Sequence, residues 1–357
     1  MIIKGTFNEA IIYTENVEET AQQQIKSFCD MEIFEKSKIR IMPDVHAGSG
    51  CTIGTTMTID DKVIPDYVGV DLGCGVLCIK LDIKVLDLEK IDNFIKRNIP
   101  YGFSIRSKIH NDVNQDLLDG LYSLECLNKD AALKAIGSVG SGNHFIEIAK
   151  SNENFYLIIH SGSRNPGLKV ANFYQKKLGD KGYLDGELFD QYMHDSFIMN
   201  KFACLNRKII AEEILGFLGC GELSRFETIH NYLSKCPITG QYILRKGAVS
   251  AYKDEILIIP MNMRDGSLIC KGKGNSDWNY SAPHGAGRIM SRAQSKRDLS
   301  MIDYRKSMEG IYTSCVSENT IDESPMAYKP MEEIMSYIKD TVEVIDQIKS
   351  IYNFKAE

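Results

Sequence analysis

The stretch Val68-Gly69-Val70-Asp71-Leu72-Gly73-Cys74-Gly75 decides how this chain is read. Asp71 and Cys74 place a carboxylate and a thiol three residues apart inside a run of glycines. A thiolate is a soft metal ligand and a carboxylate a hard one, so the pair suits a borderline divalent ion. The glycines remove side-chain bulk and let the backbone turn sharply beside a ligand. Val76-Leu77-Cys78-Ile79-Lys80-Leu81 follows, an apolar run of strand length. Two candidate ligands therefore sit on a turn anchored by a buried strand. Glycine turns entering strands are common without any ligand, so the stretch needs partners elsewhere in the chain.

Histidines supply them. Asn143-His144-Phe145-Ile146-Glu147-Ile148 alternates Asn143, Phe145 and Glu147 on one face with His144, Ile146 and Ile148 on the other. It follows a Gly/Ser loop, 137–142, whose N–H groups could cradle a phosphate. Phe155 to Ile159 reads as a buried strand ending at His160, and the loop after it carries Arg164 at a helix start. Loops at strand ends are held by a rigid scaffold and often bear chemistry. His230 comes beside Asn231. For His144 a packed core histidine is an equal alternative. Together Asp71, Cys74, His144, His160 and His230 exceed what one tetrahedral ion needs. A two-metal site bridged by Cys74 is the natural reading, and such pairs clamp a phosphate during in-line displacement.

His284 stands apart from that set. Pro283 to Arg292 reads as the opening of a helix, with His284 at its mouth, Gly285 and Gly287 behind it, and Arg288 and Arg292 one turn apart. That pattern favours an anion at the helix N-terminus. Asp44 and His46, after a strand over Lys38 to Met42, are ligands, a base, or a pair that orients a loop. Lys96, Arg97, Arg106 and Lys108 surround Tyr101-Gly102-Phe103 and make either a solvated loop or a phosphate contact.

Composition sets the outer limits. The chain has 357 residues, 43% hydrophobic and 25% charged, with a net charge of −6, ordinary for a soluble globular protein. That balance excludes a chain-wide basic nucleic-acid wrapper. Ten scattered cysteines favour reduced thiols in the cytoplasm over a disulfide scaffold. No leader, membrane anchor, Walker loop or paired Cys-x-x-Cys unit is apparent. Helical spacing predicts helices over Val17 to Met31, Val85 to Ile95, Asp116 to Ala135, Phe189 to Phe217 and Met331 to Ile351, and Arg245-Lys246-Gly247-Ala248 reads as a basic turn. The expectation is one α+β domain over residues 1–357, with mixed β-sheets packed at the centre and helices around them.

The chain resembles the RtcB-type RNA ligases. The resemblance is carried by Met42-Pro43-Asp44-Val45-His46, Val68 to Gly75, Gly142-Asn143-His144-Phe145-Ile146-Glu147 and His160-Ser161-Gly162-Ser163-Arg164. Further along it is carried by His230-Asn231, Arg245 to Ala248, His284 to Arg292, Pro325-Met326-Ala327-Tyr328-Lys329 and Lys355. It implies an enzyme that uses GTP and two Mn2+ to join RNA 3′-phosphate or 2′,3′-cyclic phosphate ends to 5′-hydroxyl ends. Asp71, Cys74, His144, His160 and His230 would hold the ions. His284 would carry GMP covalently, while Asn143, Phe145, Glu147, Tyr328 and Lys355 would line the nucleotide site and Arg164 and Arg288 would contact phosphates. The family's Gly-Ser-Met-Gly loop is here Met261-Asn262-Met263-Arg264-Asp265-Gly266-Ser267, where Asn262 and Ser267 remain as donors and Arg264 adds a charge. The chain thus reads as a divergent paralogue. A metal-dependent cyclic-phosphate phosphoesterase and a non-ligating RNA-binding paralogue are the alternatives.

Overall fold

A computed structural model describes residues 1–355. Its centre is a seven-stranded, wholly antiparallel sheet. The strand order is Gly221–Ile229, Gly75–Asp82, Asn154–Ser161, Phe145–Ser151, Val342–Lys355, Gly266–Gly272 and Ile256–Asn262. The sheet curls on itself. Val76, Cys78, Ala149 and Ile158 from its first half pack with Ile258, Ile269 and Ile348 from its second. Against the other face lies the long helix Gly186–Leu218, whose Ile210 and Ile214 meet Ile79, Leu157 and Ile159.

A second sheet has six strands, in the order Ile2–Lys4, Glu9–Ile12, Ile39–His46, Ile53–Ile59, Tyr242–Lys246 and Asn231–Lys235. Only its Glu9–Ile12 and Ile39–His46 pair is parallel. Helix Glu19–Cys29 buries Ala21, Ile25 and Phe28 beside this sheet's Ile39 and Ile41. The chain passes from the first sheet to the second through one residue, His230, between Ile229 and Asn231. The α+β architecture expected from the sequence is what is found, with mixed character confined to the six-stranded sheet.

Several sequence-based elements differ. The segment Met331 to Ile351 is a short helix, Met331–Tyr337, followed by the strand Val342–Lys355. That strand carries two bulges, at Ile345 and Ile351, which break the simple alternation a strand would show. Residues 116–127 form turns and one short 3-10 helix, Leu124–Cys126, instead of an α-helix, because the buried carboxylate of Asp195 accepts hydrogen bonds from the Tyr122 and Ser123 N–H groups and the Ser123 hydroxyl. Helix returns only at Lys129–Lys134, capped by Asn128. Arg245 and Lys246 do not form a surface turn: both are buried on a strand, and Lys246 Nζ donates to the Ser49 and Asp66 carbonyls. Among the described residues no helix is long and apolar enough to cross a membrane.

Candidate active site

Register brings the candidate ligands together. Gly75 pairs with Ser161 and Ile229, and Phe145 pairs with His160. Cys74, His144, His160 and His230 therefore stand at one end of four neighbouring strands. Cys74 Sγ lies 3.2 Å from His160 Nε2 and 3.4 Å from His144 Nε2. His160 Nε2 lies 3.3 Å from His230 Nε2, and His144 Nε2 lies 3.0 Å from Asp71 Oδ2. Two triads result, Asp71/Cys74/His144 and Cys74/His160/His230, sharing the thiol.

The chemistry of this donor set fits divalent metal. The ring Nδ1 of His160 is 3.0 Å from the Asn143 carbonyl, which can only accept, so Nδ1 carries the hydrogen and Nε2 offers its lone pair to the cluster. Burial holds His160 and His230 well below the usual imidazole range, leaving both rings neutral. Burial, with Asp71 beside it, pushes the Cys74 thiol well above its ordinary value. A bound cation would replace that proton. Burial would raise Asp71, but the hydrogen bond and charge of His144, with Cys74 and Arg164, together outweigh it and carry the carboxyl down to about 2. Donors 3.0–3.4 Å apart match ligands about 2.0–2.3 Å from a shared ion.

Arg207 braces these loops from the long helix. It is fully buried, donates to the carbonyls of Gly73 and Ser161, and pairs with Glu227 at 2.5 Å. Above it, Gly162 has no room for a side chain: a Cβ there would overlap the Asp71 carboxylate.

His284 sits across a cleft of about 580 Å³ that Cys74, His160, His230, Phe145, Glu147, Arg288, Tyr328 and Lys355 also line. Its ring centroid is 4.9 Å from that of His230. The expected helix opening is not there, since the helix begins only at Arg292. The His284 and Gly285 N–H groups both donate to Asp44 Oδ2, and the chain at Arg288 runs as an isolated bridge to Tyr328. Gly285 and Gly287 line the cleft without forming a helix N-terminus; a Cβ on Gly287 would overlap the Asp44 backbone. Asp44 Oδ2 also takes the Nδ1 hydrogen of His284 at 2.7 Å, leaving Nε2 bare. The same residue's carbonyl faces His46 Nδ1 at 2.9 Å, and burial lowers His46 to about 4. Asp44 thus sets the tautomer of both histidines.

The far end of the cleft is built around a residue that sequence reading passed over. Glu323 is buried, and its Oε2 accepts from Tyr328 at 2.6 Å and from Lys355 Nζ, while Oε1 faces Arg292 at 2.5 Å. Arg288 stacks over the Tyr328 ring, 5.1 Å from its centroid. The signal available in the sequence was Asp322-Glu323 directly before the Pro325–Lys329 motif. On the opposite wall Glu147 holds the Asn353 amide at 3.0 Å, and burial raises its carboxyl to about 8.

Of three further expected contacts, Asn262 lines the cleft, while Ser267 and Arg164 do not. Asn262 Oδ1 caps its own turn, accepting from the Arg264 and Asp265 N–H groups, and its amide donates to Asp265. Ser267 is buried on its strand and does not line the cleft. Arg164 donates to the Gly102 carbonyl at 2.9 Å and packs on Gly140. Its backbone is left-handed, φ 59°, a conformation that costs a non-glycine residue roughly 1–3 kcal/mol and is kept where function fixes a side chain.

A cluster of possible metal donors and a carboxylate-oriented histidine thus face one cleft of about 580 Å³. Residues 24–356 match the family described as tRNA-splicing ligase RtcB, and the chain belongs to that family. It is 31% identical to the RNA-splicing ligase RtcB of Escherichia coli K12, over 94% of each chain. It is 24% identical to the RNA-splicing ligase RtcB2 of another Escherichia coli strain, over 89% of this chain and 87% of that one. With the tRNA-splicing ligase RtcB of Aeropyrum pernix it shares 26% over 82% of each.

Proposed function

We propose that the protein is an RNA ligase that joins 3′-phosphate or 2′,3′-cyclic phosphate ends to 5′-hydroxyl ends through a covalent histidine–GMP, in the cytoplasm. The observation that carries the reading is the bare Nε2 of His284, fixed by Asp44 and 4.9 Å ring to ring from His230. The names of the relatives, RNA-splicing and tRNA-splicing ligases, support the substrate class. Asp71, Cys74 and His144 would hold one Mn2+, and Cys74, His160 and His230 a second. Bound there, the ions would neutralise charge on the reacting phosphates.

His284 Nε2 attacks the α-phosphorus of GTP, the bond to the bridging oxygen breaks, and pyrophosphate leaves with that electron pair. The ring becomes cationic, and the Asp44 carboxylate stabilises it. Phe145, Glu147, Tyr328 and Lys355 enclose the base, with Asn143 and Arg288 towards the phosphates. GMP then passes to the RNA 3′-phosphate, and the 5′-hydroxyl of the second end displaces it. The phosphoesterase alternative needs the metal donors but neither the His284–Asp44 pair nor Lys355, so the arrangement favours ligation.

The test is incubation with α-labelled GTP and Mn2+ followed by a denaturing gel. Wild type should carry an acid-labile adduct. His284→Ala should form none, keep its metal content, and still seal RNA supplied with a preformed 3′-guanylate pyrophosphate. An adduct on His284→Ala would assign the nucleophile elsewhere.

A further inference from the structure

The turn Tyr101-Gly102-Phe103-Ser104 carries an aromatic ring that nothing in the fold uses: Phe103 is 99% exposed. An exposed ring on a loose loop would mean little, but this turn is anchored on several sides. The Ser104 N–H donates to the Tyr101 carbonyl at 3.1 Å, closing the turn, and Gly102 takes φ 62°. The Gly102 N–H donates to Gly140 at 2.8 Å, and its carbonyl accepts from Arg164. On the other side the Tyr101 ring meets Phe354 edge-on, 5.2 Å between centroids. The turn is thus fixed both to Arg164, which shares the face of Gly140 with His144, and to the strand that ends in Lys355.

We propose that Phe103 is a stacking platform for one base of the RNA strand that enters the cleft past Arg164. The proposal rests on the ligase reading above. A single ring offers the area of one base, far below the roughly 800 Å² per partner of a stable protein interface. Stacking on an aromatic side chain is sequence-tolerant because every base has a π-face, which suits an enzyme that joins ends of varied sequence. The neighbouring Arg164 guanidinium suits a phosphate of the same strand.

Phe103→Ala, Phe103→Trp and wild type are compared for RNA sealing, for adduct formation with GTP alone, and for binding of an RNA oligonucleotide carrying 2-aminopurine near its end. Phe103→Ala should raise the KM for RNA at least about fivefold, the effect of losing one base stack. It should leave adduct formation with GTP unchanged, and Phe103→Trp should restore RNA affinity. In wild type the 2-aminopurine should be quenched, and in Phe103→Ala it should not be. Equal RNA binding and KM in Phe103→Ala overturn the proposal, as does a variant whose only change is in oligomeric state. If wild type binds RNA through Phe103 yet forms no GMP adduct and seals no ends, the ligase reading fails while the platform stands.

Discussion

The carboxylate of Asp44 lies 2.7 Å from Nδ1 of His284 and accepts the His284 main-chain N–H as well, at 3.0 Å. One buried oxygen therefore fixes both the ring and the backbone beneath it. Asp44→Asn can keep the main-chain bonds through its amide oxygen but loses the charge that stabilises a cationic ring. Adduct formation should fall by about 10²–10⁴-fold, the range for a group that orients and supports a catalytic histidine. Rate measurements on labelled GTP, alongside a thermal melt close to wild type, check this.

Cys74 belongs to both donor triads, so Cys74→Ala should impair the two together. An ion that binds only the folded state stabilises it by about 2.7 kcal/mol at a hundredfold excess over its Kd. Titrating Mn2+ should raise the melting temperature of wild type and leave Cys74→Ala where it was. Adduct formation should vanish in the variant, and in wild type treated with a chelator.

Burial raises the Glu147 carboxyl from 4.5 to about 8, against the opposing hydrogen bonds from Asn353 and Ser350. A carboxyl raised on folding contributes stability that is fully present below about 4.5 and is lost as the pH climbs to about 8. The stability of wild type relative to Glu147→Gln should therefore decline across that window in denaturant titrations. The N–H edge of a guanine base needs the ionised form as acceptor. GMP affinity should then strengthen with pH by up to about tenfold per unit until about pH 8, and the profile should be flat in Glu147→Gln. Calorimetry in buffers of different ionisation heat reads the proton released.

Glu323 shows the opposite sign. Burial would raise its carboxyl, but Lys355 and Arg292 outweigh it and lower it from 4.5 to about 2. Its contribution is present above about 4.5 and is lost as the pH falls towards 2. Glu323→Gln should cost about 3 kcal/mol at neutral pH, because it leaves the buried Lys355 ammonium unpaired. The gap from wild type should close as the pH is lowered through that window. Denaturant unfolding at pH 7, 4 and 3 measures it.

The donor cluster was legible because its members flank strands whose apolar runs can be read directly, as Val76 to Leu81 and Phe155 to Ile159 show. What escaped depends on contacts between distant segments. Asp195 holds residues 122 and 123 in turns across more than seventy positions, which no local helical spacing reveals. The bulges at Ile345 and Ile351 shift the side-chain alternation of the last strand, so its spacing imitates a helix, although its β-branched content was a usable counter-signal. Asp44 takes up N–H groups that a helix at His284 would have left free. Glu323 was hidden because a buried acid acquires meaning only from its cations, and Lys355 lies 32 residues further on.

The brace made by Arg207 has a consequence for how the protein is equipped in a growing cell. By tying the carbonyls of Gly73 and Ser161 to one buried guanidinium, it fastens the donor loops together before any ion arrives. Loading then becomes an exchange of protons for cations in a finished mould, slower and weaker in acid because the thiol must ionise. Thiolate and imidazole donors rank manganese below iron, nickel, copper and zinc. The occupant of the site will therefore follow the supply of free ions in the medium, and protein harvested from zinc-rich cultures should carry zinc until it is stripped and refilled.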